Sequence, residues 1–155
     1  MINYEELKEY DKNKTKVLKY IVYKKRSENE IRRKFEDDID YDMLENIIAD
    51  LKENGYIDDN NYVERSINEF ISLKNLSLKQ IKYKLLSKGI NSNIIDEYFY
   101  NHSEEMKNYE INSAQKIIAK KSECSAEEII QTLLKKGFEY DNVKEAIERG
   151  NSWKI

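Results

Sequence analysis

Ser77-Leu78-Lys79-Gln80-Ile81-Lys82-Tyr83-Lys84-Leu85 is the stretch on which the fold turns, because it is written three times. Its counterparts are Ser27-Glu28-Asn29-Glu30-Ile31-Arg32-Arg33-Lys34-Phe35 and Ser125-Ala126-Glu127-Glu128-Ile129-Ile130-Gln131-Thr132-Leu133. From 27 to 77 is 50 residues and from 77 to 125 is 48, a period that marks stacked supersecondary units. Each copy opens as a capping box. A serine oxygen accepts a free N–H of the first turn, and Glu30, Gln80 or Glu128 reaches back to the serine N–H. Leu76 with Ile81, and Cys124 with Ile129, hold the positions of a hydrophobic staple, which is the packing reading of the lone cysteine.

Stop signals follow. Gly89 and Gly137 sit where helices begun at Ser77 and Ser125 end, as residues suited to the left-handed conformation. The first copy lacks this glycine and keeps Ile39. A second amphipathic helix comes next in each copy, carrying Leu44, Ile47, Ile48 and Leu51, then Ile94, Ile95 and Tyr98, then Val143, Ala146 and Ile147. A longer helix precedes each pair, with apolar stripes at Val17, Leu18 and Ile21, at Val63, Ile67 and Phe70, and at Ile111, Ala114 and Ile117. These are helical spacings, not the alternation of a strand. The expected fold is all-α, three tandem three-helix repeats of helix-turn-helix type in an elongated, curved molecule. The divisions are an N-terminal segment 1–12, repeats at 13–55, 56–102 and 103–150, and a tail 151–155. The stretch Tyr100-Asn101-His102-Ser103-Glu104 reads as an exposed loop between repeats.

Composition agrees. The 155 residues include no proline and four glycines, too few to punctuate a strand-rich fold. One cysteine excludes an internal disulfide, and with a single histidine, His102, a zinc site is not expected. The first residues are charged and do not read as a signal peptide, and no run approaches a membrane span, so a cytoplasmic protein is expected. No Gly-rich phosphate loop or catalytic set is present, so neither an enzyme nor a cofactor is expected. Asp58-Asp59 follows the stop glycine Gly55 and precedes an apolar stripe. One of the pair caps the following helix, and the role of the other is left open.

The net charge of −3 hides segregation. From Lys12 to Lys34 there are ten basic and two acidic residues. From Glu36 to Asp59 there are ten acidic and one basic, and from Lys74 to Lys88 five lysines and no acid. Such zones suit a partner that is itself charged. Candidate contacts are Arg32, Arg33 and Lys34 in the first repeat and Lys79, Lys82, Lys84 and Lys88 in the second, with Lys79 and Lys82 on the outward face. Tyr83 either adds a stacking surface or packs inward.

Four stretches resemble the bacterial RecX family. They are Arg26 to Phe35, Gly55-Tyr56-Ile57-Asp58-Asp59-Asn60-Asn61-Tyr62, Ile81 to Ile90 ending in Lys88-Gly89-Ile90, and Lys136-Gly137-Phe138. The chain departs from the family pattern at Lys74-Asn75-Leu76, where glycines are usual, and at Val63, where alanine is usual. The resemblance implies a regulator of the RecA recombinase. Such a protein would be a monomer that lies in the groove of the RecA–DNA filament and inhibits ATPase, strand exchange and coprotease activity, tuning DNA repair and the SOS response. Single-stranded DNA would be bound weakly or within the filament. The alternatives are a general nucleic-acid-binding helical protein and a helical-repeat adaptor without recombinase specificity.

Overall fold

A computed structural model describes residues 3–73 and 75–151, so Lys74 and tail residues 152–155 lie outside the described residues. Nine α-helices and no strand occur among the described residues: α1 Tyr4–Tyr23, α2 Glu28–Phe35, α3 Tyr41–Glu53, α4 Asp59–Leu73, α5 Leu78–Ser87, α6 Ser92–Asn101, α7 Ser103–Lys120, α8 Ala126–Lys135 and α9 Tyr140–Asn151. The apolar stripes gather into three cores. Val17 and Ile21 of α1 meet Ile31 and Phe35 of α2 and Leu44, Ile47 and Leu51 of α3. Val63 and Ile67 of α4 meet Ile81 and Leu85 of α5 and Ile95 of α6. Ile111, Ala114 and Ile117 of α7 meet Ile129 and Leu133 of α8 and Val143 and Ala146 of α9. α7 serves two cores, because Met106 and Tyr109 on its first turns pack into the second.

The stretch read as a loop near residue 102 is helical except for His102 itself. Its N–H donates to the Tyr98 carbonyl at 3.0 Å, and its ring stacks on Tyr98 with centroids 4.0 Å apart. These contacts turn the chain from α6 into α7 within one residue.

The three serines cap as their positions predict. Ser27, Ser77 and Ser125 accept from the N–H groups of Glu30, Gln80 and Glu128 at 3.1, 3.1 and 3.2 Å. The reciprocal arm closes at Ser77, whose N–H donates to Gln80 Oε1 at 2.9 Å. Glu30 is turned elsewhere. It accepts from the Tyr62 hydroxyl of α4 at 2.6 Å and lies 3.7 Å from Arg26. Cys124 is exposed and free rather than buried in a staple.

Two of the serines also join one helical unit to the next. Ser27 Oγ donates to the Lys88 carbonyl at 3.2 Å, and Ser77 Oγ donates to the Lys136 carbonyl at 2.7 Å. Both carbonyls belong to C-cap residues, of α5 and α8. One hydroxyl thereby satisfies an orphan donor at a helix N-terminus and an orphan acceptor at the C-terminus of a helix in the following unit. Ser27 and Ser77 are fully buried, whereas Ser125 is exposed.

The stop glycines complete the same junctions. Gly89 and Gly137 have φ of +82° and +94°, and Ile90 and Phe138 N–H groups close Schellman turns on Leu85 and Leu133 carbonyls. A Cβ on Gly89 would stand 2.6 Å from Asn29 Cβ, and one on Gly137 would stand 2.9 Å from Lys79 Cβ. Asn29 and Lys79 each lie two residues after a cap serine, and the Asn29 amide donates to the Gly89 carbonyl. Ile39, the counterpart in the first unit, is buried in the first core instead.

Carboxylates from the following unit finish the helix N-termini. Asp58 caps its own helix, accepting from the Asn61 N–H at 3.1 Å. Asp59 reaches back to α2 and accepts from the Glu28 N–H at 3.0 Å. Its burial pushes its carboxyl pKa up, against the pull of that N–H. Glu110, fully buried on α7, does the same for α5, accepting from the Leu78 N–H at 3.0 Å. Its other oxygen takes the Asn142 amide at 2.5 Å and the Glu139 N–H at 3.5 Å, so one carboxylate serves two helix N-termini.

Alanine at the three positive-φ glycines should separate backbone strain from junction packing. Gly55 has open space about it, so Gly55→Ala should cost about 1–2 kcal/mol for its backbone alone. Gly89→Ala and Gly137→Ala should cost about 2–4 kcal/mol, because the neighbouring unit must also give way. Urea unfolding of the three variants measures the difference.

Candidate nucleic-acid interface

The basic residues singled out in the sequence divide into two groups. Arg32 is spent inside the protein. Its Nε lies 2.7 Å and its Nη2 3.0 Å from the Glu45 carboxylate of α3, and Nη2 also lies 2.8 Å from Glu28. The paired guanidinium holds the Glu45 carboxyl below its ordinary pKa, and Glu45 in turn raises that of Arg32. Lys82 does the same work one unit on, with Nζ 2.5 Å from Asp96 of α6. Both cations stand five residues after a cap serine and tie the second helix of a unit to its third. Ile130 holds that place in the third unit and packs against the third core. Lys82, expected on the outward face, is partly exposed there and paired with Asp96. The signal lay in the acids, since Glu45 and Asp96 follow their partners by 13 and 14 residues.

Lys88 is also turned inward. Its Nζ lies 5.8 Å from the Tyr62 and Phe70 ring centroids on α4.

The remaining cations share a face. Lys79, Gln80, Tyr83, Lys84 and Ser87 of α5 form one wall of a groove of about 520 Å³. Leu134, Lys135, Lys136 and Gly137 at the end of α8 form the other. No acidic side chain lines it. Tyr83 is 73 % exposed, so it belongs to the surface and not to the packing. Lys135 and Lys136 were not among the sequence candidates, because nothing local marks them. The Ser77 to Lys136 hydrogen bond is what brings the end of α8 beside α5. At the other edge Arg33 Nη1 lies 3.5 Å from the Ser87 carbonyl. Lys34 Nζ and the Arg26 guanidinium lie 5.8 Å and 4.1 Å from the Tyr20 ring centroid on the first unit.

The acidic stretch is less uniform than its charge count. Glu45 and Asp59 are engaged within the fold, and Asp50 accepts the Tyr10 hydroxyl. That carboxylate and, first, burial push the Tyr10 pKa up to about 12. Glu36, Asp37, Asp38, Asp40 and Asp42 remain exposed. Among the described residues no cluster of His, Cys, Asp and Glu has the arrangement of a metal site, and no helix is long and apolar enough to cross a membrane.

No protein-family model matches the chain. Individual relatives do. The regulatory protein RecX of Lactococcus lactis subsp. cremoris strain MG1363 is 35 % identical over 150 residues, covering 88 % of this chain and 55 % of the relative. The regulatory protein RecX of Clostridioides difficile strain 630 is 30 % identical over 162 residues, covering 96 % of this chain and 75 % of the relative. The chain belongs to the RecX family. The crystal structure of RecX from Lactobacillus salivarius superposes with a TM-score of 0.81 at 26 % identity, over 92 % of this chain and 97 % of that one. A second RecX crystal structure, 20 % identical, shares the fold with a TM-score of 0.78. The chain spans a little over half the length of the lactococcal RecX proteins it matches.

Arg32 and Arg33 are adjacent in sequence but should separate in effect. Arg32→Ala should cost about 0.5–1 kcal/mol of stability at neutral pH, the scale of a partly exposed ion pair. Arg33→Ala should be near neutral. Because the Glu45 pKa is depressed, its contribution is present above the unfolded carboxyl pKa of about 4.3 and is lost as pH falls through the lowered folded value. Denaturant melts at pH 7 and pH 3 should show the Arg32→Ala deficit shrinking at the lower pH.

Proposed function

We propose that this chain binds the RecA–DNA filament and restrains the recombinase, lowering its ATPase, strand-exchange and coprotease activities. In this reading it is a cytoplasmic monomer that tunes DNA repair and the SOS response. The observation that carries the reading is the groove between α5 and α8. It gathers Lys79, Lys84, Lys135 and Lys136 about an exposed tyrosine with no acid in its lining, on a chain of net charge −3. Membership of the RecX family supplies the recombinase as partner.

The physics is that of a partner presenting phosphates beside protein. Lysines in the groove neutralise backbone phosphates without reading sequence, so binding weakens with salt. Arg33 and Lys34 extend the contact, and Tyr83 offers a face for an unstacked base. Arg32, Lys82 and Lys88 support the scaffold rather than the partner. A protein built to coat bare DNA is usually basic overall. The negative total here keeps affinity for naked DNA low and leaves specificity to contacts with the recombinase. The exposed carboxylates from Glu36 to Asp42 suit basic recombinase surface and repel free DNA.

The test is recombinase ATPase on single-stranded DNA with this protein titrated in. Inhibition is expected well below one molecule per recombinase subunit, and Lys79→Glu with Lys84→Glu and Lys135→Glu should weaken it at least tenfold. No inhibition at saturating protein would refute the proposal, as would affinity for bare DNA equal to that for preformed filaments.

A further inference from the structure

The exposed side of α1 carries a second concentration of charge that the groove does not explain. From Lys12 to Arg26 there are seven basic residues and no acid. On the helix, Asn13, Val17 and Ile21 are buried in or against the first core. Lys12, Lys16, Lys19 and Tyr23 are all exposed, at the i, i+4, i+7 and i+11 spacing of a single stripe pointing away from that core. The three lysines span about 10 Å along the helix axis. Among the described residues none of them has an ion-pair partner. Tyr23 is 86 % exposed and Val22 beside it 77 %.

We infer that this stripe is a separate binding surface for the phosphodiester backbone of a nucleic acid, used without the recombinase. A row of cations without ion-pair partners is complementary to a polymer that carries a charge every few ångströms. Its neutralisation releases counterions. The exposed tyrosine at the end of the row gives a base an aromatic face on which to stack, which a merely solvated lysine row has no need of. Lys24 and Lys25, exposed just beyond the helix, prolong the positive field. Lys12, Lys16, Lys19 and Tyr23 are all exposed, so the stripe can be altered without touching a core.

The experiment uses the whole chain and no recombinase, so its result stands apart from the fate of the regulator reading. Wild-type protein and the Lys12→Gln, Lys16→Gln, Lys19→Gln triple variant are titrated with fluorescent single-stranded and duplex 20-mers across a salt series. Circular dichroism checks that helix content is unchanged. The triple variant should lose tenfold or more in affinity at low salt. Its plot of log affinity against log salt should flatten by about 2 for the single strand and nearly 3 for the duplex, the values for three lost phosphate contacts. Tyr23→Ala should weaken single-strand binding several-fold and leave the salt slope unchanged. Absent wild-type binding, or slopes unaltered by the triple substitution with both nucleic acids, overturns the inference. So does loss of binding to phosphatidylglycerol vesicles with nucleic-acid binding intact, which would make α1 a membrane-facing surface.

Discussion

The hydroxyl of a cap serine, accepting from its own helix and donating to the next unit, is the contact on which the rest of this structure depends. A helix leaves unpaired N–H groups at its start and unpaired carbonyls at its end, and burying either without a partner is costly. Ser27 and Ser77 solve both problems with one oxygen each, because the N-terminus of α2 is set against the end of α5, and that of α5 against the end of α8. That arrangement demands close approach, which is why Gly89 and Gly137 have no room for a Cβ. It also buries the cap serines that start α2 and α5, and Asp59 and Glu110 arrive from the following unit to take the next N–H.

The same junctions make the surface that we assign to partner binding. The ends of α5 and α8 carry lysines because cations suit helix C-termini. Docking one C-terminal end beside the preceding second helix then gathers Lys79 and Lys84 with Lys135 and Lys136 from separate units. Charges that would repel in isolation are held together by hydrogen bonds that do not involve their side chains. Of the acidic stretch, Glu45 and Asp59 are engaged in pairing and capping, and Glu36, Asp37, Asp38, Asp40 and Asp42 are exposed after α2.

Comparison of the three units shows which positions carry scaffold and which are free to vary. Five residues after the serine, Arg32 and Lys82 reach an acid on the third helix of the unit, and Ile130 replaces the ion pair with packing. Twelve residues after it, glycine appears where a neighbouring unit presses on the chain and isoleucine where the core needs filling. Membership of the RecX family fits this pattern, since the stretches that resemble the family are largely junction residues.

By itself the sequence determined the helices, their caps and their inward faces. Those follow from local rules, the 3.6-residue period and the chemistry of serine and glycine at helix ends, which act within a few residues of chain. That one of Asp58 and Asp59 caps α4 was legible for that reason, whereas which of them does so, and the role of the other, was not, because the donor to Asp59 lies 31 residues away. Nothing in the sequence marked Glu110, because its three donors come from two other segments. Sequence marked Arg32 and Lys82 as cations but not as paired ones, and it did not mark Lys135 and Lys136 as contacts. Which charges are spent inside the fold and which face a partner is a matter of distances between units. Only the tertiary structure decided it, because ion pairing and groove formation depend on atoms that the chain brings together from far apart.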